Sequence, residues 1–183
     1  SDWSLAVRGS ETIYTGVITA SKDVKNIEID GFKFTKSEDD SGGALDFLAG
    51  GYEKVKVINN IADSTYYGSG FMYVSGQRSQ DVEFVNNRLI DTHGNNSAGT
   101  SGVLIWNTDN IKVNGNYFYR TDNTTGMTSS AALNLLGQNG VVELKDNYFE
   151  DMIIKFDGTN FSADEISGNF FTGRNGRSNI LEF

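Results

Sequence analysis

The chain has 183 residues, no cysteine and a formal net charge of −9, a length that fits one domain with a continuous core. The missing cysteines exclude disulfides and thiolate metal sites. The acidic balance argues against nucleic acid and against anionic membrane surfaces, both of which are held by basic patches. No apolar run reaches the length of a membrane-spanning helix, so no membrane insertion is expected.

Ser1-Asp2-Trp3 opens the chain without a methionine. The expectation is an excised or processed piece of a longer protein. Residues 1–23 keep an apolar alternation through Leu5, Val7, Ile13 and Val17. They match the repeat that follows only loosely and are read as a degenerate N-terminal rung.

From residue 24 to residue 183 one phrase is written six times. Its copies start at Ile27, Val55, Val82, Ile111, Val142 and Asp164, at intervals of 28, 27, 29, 31 and 22 residues. A period in that range is the signature of a solenoid. Each copy begins apolar–charged–apolar, the period-2 alternation of a strand. The inward pairs are Ile27/Ile29, Val55/Val57, Val82/Phe84, Ile111/Val113 and Val142/Leu144. Between them the outward column reads Glu28, Lys56, Glu83, Lys112, Glu143 and Glu165. Acid and base alternate over the first five, as lateral pairing between stacked strands about 4.8 Å apart requires.

Three positions later stand Gly31, Asn59, Asn86, Gly115, Asp146 and Gly168. Glycine, asparagine and aspartate tolerate a left-handed backbone best, so a bend is expected there in every copy. The next column is Phe32 followed by Asn60, Asn87, Asn116, Asn147 and Asn169. Five asparagines in a single column predict a structural amide ladder. Past the bend, Phe34, Ala62, Leu89, Phe118, Phe149 and Phe171 point inward from a second strand.

A variable segment then leads to a third strand. Its triplets are Leu45-Asp46-Phe47, Met72-Tyr73-Val74, Leu104-Ile105-Trp106, Leu133-Asn134-Leu135, Ile154-Lys155-Phe156 and Leu181-Glu182-Phe183. The outer two residues of each are read as inward and the middle one as outward. Polar turns such as Asn107-Thr108-Asp109-Asn110 return the chain to the next copy. The last strand ends uncapped, so continuation of the coil or an oligomeric partner is expected at that end.

With three strands, three turns and an asparagine column per copy, the chain resembles the right-handed parallel β-helix proteins. That group includes pectate lyases, polygalacturonases, phage tailspikes and bacterial surface proteins. The resemblance covers roughly residues 24–183 and implies an all-β, right-handed, single-stranded parallel β-helix of about six to seven rungs. It identifies a fold more sharply than a function.

In pectate-lyase-like enzymes the substrate groove runs along the third strand. The resemblance therefore offers a catalytic set of Lys155 as base with Asn134, Asp157 and Glu182 around it. The competing reading of the same residues is a solvated Lys–Glu ladder. Asn107-Thr108-Asp109 copies the letters of a polygalacturonase motif. However, Asp39-Asp40 and His93-Gly94 precede it instead of following it, and Asp109 has no evident second carboxylate. It is read as turn chemistry. His93, the one histidine, stands in a polar segment without a second ligand, and Asp91, Arg120 and Asp151 form a column read as a charge ladder. Calcium, common in such folds, has no nonapeptide motif here, so no metal or cofactor is expected.

Aromatic residues carry the binding expectation. Outward beside the asparagine column run Lys33, Ile61, Arg88, Tyr117, Tyr148 and Phe170. Tyr117, Tyr148 and Phe170, with Arg88 at one end and Tyr73 beside the presumed groove, are candidates for binding pyranose rings, or else stiffen the solenoid face. The expected function is a non-catalytic β-helix segment, extracellular or on a cell or virion surface, that is carbohydrate-binding, adhesive or structural. Its expected partner is a polysaccharide or cell-surface glycan. The alternative is a polysaccharide lyase or glycoside hydrolase acting along the third strand.

Overall fold

The computed structural model describes residues 12–35, 44–63, 66–67, 70–90, 93–94, 102–119, 131–137, 139–150, 153–157, 160–173 and 181–182. Within them the chain coils as an all-β parallel solenoid with three long sheets. The first sheet stacks Lys25–Asp30, Glu53–Ile58, Ser79–Val85, Thr108–Asn114, Asn139–Lys145 and Asn160–Ser167. The second stacks Thr12–Tyr14, Phe32–Phe34, Ile61–Asp63, Arg88–Ile90, Tyr117–Tyr119, Tyr148–Glu150 and Phe170–Thr172. The third stacks Ile18–Thr19, Leu45–Phe47, Met72–Val74, Val103–Trp106, Ala131–Leu136, Ile153–Asp157 and Leu181–Glu182. Thr12–Tyr14 and Ile18–Thr19 extend the second and third sheets, so the loosely matching N-terminal segment adds strands of its own.

Alternation decides which side of the first sheet is core. Val55, Val57, Val82, Phe84, Val113 and Leu144 have no exposed surface. The intervening charges lie outward in register, Glu28 beside Lys56, then Glu83, Lys112, Glu143 and Glu165. Lys112 approaches Glu143 at 4.0 Å, and Lys145 bridges Glu143 and Glu165. These pairs are solvent-facing and contribute more to register than to stability.

The bend column takes the left-handed backbone at all six positions, with φ from +53° at Asp146 to +74° at Gly31. Directly after it the asparagines interlock. Asn87 Nδ2 donates to Asn116 Oδ1 at 3.2 Å and to the Val57 carbonyl at 2.8 Å, and the Asn87 main-chain N–H donates to the same Asn116 Oδ1 at 2.8 Å. Asn60, Asn116 and Asn147 repeat that pattern, and the Phe32 N–H takes Asn60 Oδ1 at 3.0 Å. Each amide therefore satisfies the corner of the strand before it, where the backbone would otherwise lack partners.

Inside the coil, Phe84, Phe118, Phe149 and Phe171 stack in file; the Phe118 and Phe149 rings lie 4.9 Å apart and within 7° of parallel. Tyr52 is fully buried, its hydroxyl donating to the Ala20 carbonyl at 3.1 Å and accepting the Ala49 N–H at 3.0 Å.

One strand departs from the expected register. Val103 and Ile105 are fully buried and Trp106 is 47% exposed, so the inward pair is Val103/Ile105 and not Leu104/Trp106. Leu104 faces outward between Tyr73 and Asn134. A one-residue slip exchanges the two faces of a strand. Choosing the outer triplet would have placed the largest side chain in a core layer otherwise filled by Met72, Val74, Leu133 and Leu135.

Candidate functional site

Three outward rows run along the coil, one per sheet. On the third sheet Thr19, Asp46, Tyr73, Leu104, Asn134, Lys155 and Glu182 are in register. The row brings Asn134, Lys155 and Glu182 onto consecutive strands and sets Asp157 opposite Leu136. The side chains of Asp157 and Glu182 lie outside the described residues. Within the row Asp46 and Glu182 stand five strands apart, about 24 Å at sheet spacing. Paired glycosidase carboxylates sit roughly 5–9.5 Å apart, so these two cannot flank one bond. Asp46 Oδ1 and Asn134 Oδ1 are buried without a hydrogen-bond partner. Burial pushes the Asp46 carboxyl above its usual range.

On the second sheet Arg88, Tyr117, Tyr148 and Phe170 are in register. Tyr117 and Tyr148 stack at 4.9 Å and 13°, and Tyr148 and Phe170 at 5.3 Å and 23°. Arg88 covers the other end, its guanidinium carbon 5.4 Å from the Tyr117 centroid. The ring faces of both tyrosines are thus turned to their neighbours along the axis. A sugar would need those faces free. Phe170, 55% exposed and on the sheet's last strand, is the ladder ring most open to solvent. Tyr148 Oη donates to Glu150, a carboxylate only 4% exposed. Burial, reinforced by Glu150, raises the Tyr117 phenol above its ordinary value.

The polar turn residues behave as turn chemistry. Asn107 has φ +56° and donates to the Gly76 carbonyl at 3.1 Å. Thr108 is buried and donates to the Trp106 carbonyl, and Asp109 accepts both Nε and Nη2 of Arg78. His93 pairs with Tyr66 in a two-strand sheet, Tyr66–Tyr67 with His93–Gly94. Asp39, Asp40, Asp91, Arg120 and Asp151 lie outside the described residues. Among the described residues no cluster of three or more His, Asp or Glu is arranged to hold a metal.

A groove of about 460 Å³ opens on the first sheet instead, lined by Lys54, Lys56, Asp81, Glu83, Asn110, Ile111, Lys112, Val141 and Glu143. Its origin is local backbone geometry. Lys54, Asp81 and Asn110 all take left-handed φ, from +54° to +56°. Each bends its strand one residue before the inward pair, and the stacked bends make a crease along the axis. Val141 continues the column through a register shift, with Gly140 at φ +108°. Asn110 Nδ2 donates to Asp81 Oδ1 at 3.0 Å, fixing one wall. Glu143 accepts Asn114 Nδ2, and that hydrogen bond, aided by Lys145 and Lys112, holds its carboxyl below the usual range. Among the described residues, nothing pairs with the side chains of Lys54, Lys56 or Glu83 within hydrogen-bond or ion-pair distance.

The groove was not foreseen from sequence, although a signal exists. Asn26, Asp81 and Asn110 precede their inward pairs, which marks a second left-handed column that Lys54 and Val141 disguise. Compared with family models, curated proteins and solved structures, the chain matches none.

Proposed function

We propose that the chain is a non-catalytic β-solenoid segment of an extracellular or surface protein, and that it binds carbohydrate through the first-sheet groove. The observation that carries this reading is the state of the groove's side chains. Lys56 and Glu83 are neighbours in register and of opposite sign, yet they do not pair. Their polar atoms stay available to a ligand, over a floor formed by Ile111 and Val141. Clefts with a partly apolar floor and a few convergent polar groups are where sugars and other small polar ligands settle. The second-sheet ladder supports the scaffold in this reading, its stacked rings stiffening one face.

Isothermal titration of the purified chain with soluble oligosaccharides tests the proposal. Binding is expected for the native chain and is lost in Lys56→Ala/Glu83→Ala; equal binding by both would place the site elsewhere.

The second reading, a polysaccharide lyase or hydrolase of pectate-lyase type on the third sheet, draws on the consecutive register of Asn134, Lys155 and Glu182. Release of unsaturated or reducing ends from polysaccharide, abolished in Lys155→Met, would favour it.

A further inference from the structure

We infer that the first-sheet groove selects a neutral oligosaccharide laid parallel to the solenoid axis, an inference that rests on the carbohydrate-binding reading. The charge pattern of the lining carries it. Although the chain carries −9 overall, the groove holds three lysines, Lys54, Lys56 and Lys112, and three carboxylates, Asp81, Glu83 and Glu143. Its local balance is zero.

The order of those charges matters as much as their sum. Lys56, Glu83, Lys112 and Glu143 follow one another strand by strand in a single row. In the parallel row Lys54 is followed by Asp81 and Asn110. Cation and carboxylate therefore alternate at each step of about 4.8 Å along the first row, and from Lys54 to Asp81 in the second. A polyanion such as a uronic-acid chain would meet a like charge at every second strand, and a polycation would meet the same obstacle one strand later. A hydroxyl both donates and accepts. A neutral sugar chain can present one or the other to each position as it passes.

The floor agrees with that ligand. Ile111 is buried beneath the groove and Val141, 44% exposed, forms an apolar step beside it. The C–H faces of pyranose rings would cover that step and leave the ring hydroxyls to the charged walls. Orientation follows from the groove's shape, because its lining spans four successive strands but only two outward side-chain rows, with Ile111 between them. A chain lying across the axis would leave the crease after one residue. A chain along it stays inside.

Titration calorimetry with cellohexaose, maltohexaose and an α-1,4-galacturonate hexamer tests the inference, with circular dichroism and thermal melting to check that each variant folds. Binding of at least one neutral hexamer is expected, at least tenfold tighter than the galacturonate, and little changed between about 50 and 500 mM salt because no net charge is neutralised. Glu83→Gln and Lys56→Met should each weaken it tenfold or more, and Val141→Arg should block it sterically. Tighter binding of the galacturonate would overturn neutral selectivity while leaving carbohydrate binding intact. Neutral binding unaffected by all three variants would overturn the groove as the site. Absence of binding to every oligosaccharide would overturn the carbohydrate reading itself.

Discussion

Asn116 is tied twice to Asn147: its side-chain Nδ2 and its main-chain N–H both donate to the Asn147 Oδ1, at 3.0 and 2.9 Å. Toward the preceding strands its Nδ2 also reaches the Phe84 carbonyl at 2.7 Å, and its own Oδ1 accepts both N–H groups of Asn87. Every polar atom of this buried side chain is used. Asn116→Ala removes four hydrogen bonds and leaves several buried partners unsatisfied, each costing about 1–3 kcal/mol. A loss of at least about 4 kcal/mol is expected in urea unfolding. Asn59 sits one position before its own ladder residue, keeps φ +56° and bonds Asp30 at the surface. Asn59→Gly should therefore change stability by less than about 1 kcal/mol. Equal losses from the two variants would contradict the ladder as the main source of corner stability.

Two glycines with nearly the same backbone separate strain from crowding. Gly31 and Gly50 have φ of +74° and +75°. A Cβ at Gly31 would meet nothing within 4 Å, whereas at Gly50 it would lie 2.0 Å from the Gln77 nitrogen and 2.3 Å from its carbonyl oxygen. That clash is with backbone, which side-chain rotation cannot relieve. Gly31→Ala is expected to cost about 1–2 kcal/mol, the left-handed penalty alone. Gly50→Ala must also push apart two turns bridged at Gly50 and Gln77, and is expected to lower the melting temperature far more or to prevent folding. Similar melting temperatures would show that the turn opens without cost.

Of the four residues in this column that take left-handed φ, Asn26, Lys54, Asp81 and Asn110, Lys54 alone is neither asparagine nor aspartate, at φ +55°. A residue with a Cβ loses roughly 1–2 kcal/mol there, and asparagine loses less because its short polar side chain bonds locally. Lys54→Asn should raise stability by about 0.5–1 kcal/mol in urea. The same replacement at Lys56, where the strand is extended and Glu28 and Glu83 flank it, should bring no gain. A drop in stability for Lys54→Asn would mean that the lysine stem, and not the backbone, governs this position.

These positions also mark what was legible in the chain. Asn60, Asn87, Asn116, Asn147 and Asn169 recur at one offset and face one environment, so the corner and its hydrogen bonds could be read directly. The first-sheet core was legible for the same reason: Val55/Val57 and Val82/Phe84 alternate strictly with charge. The third strand was harder where apolar residues run on. Val103-Leu104-Ile105-Trp106 offers two apolar registers, and only packing against Met72 and Leu133 chooses between them. The groove was hidden because it depends on backbone conformation at Lys54, a residue type that gives no hint of a left-handed bend. Ring stacking between Tyr117 and Tyr148 likewise depends on side-chain orientation, which a column of aromatics does not specify.

Asp46 provides a prediction whose sign is fixed by pH. Its Oδ1 is buried without a hydrogen-bond partner, it stands between Thr19 and Tyr73 in register, and burial raises its carboxyl above the ordinary value. A raised acid in the folded state means that the native protein resists ionising this group while the unfolded chain does not. The penalty is full above the folded value and disappears once pH falls below about 4, where both states are neutral. Asp46→Asn removes the charge and keeps the shape. At pH 7 the variant should unfold at a higher urea concentration than the native chain, and near pH 3 the two midpoints should converge. Glu143 acts in the opposite sense, since its lowered carboxyl contributes stability at neutral pH that is lost as pH falls through the folded value. That contribution is common to both proteins and cancels when they are compared at the same pH. A variant less stable than the native chain at pH 7 would mean that the Asp46 carboxylate is held by a favourable interaction stronger than its desolvation.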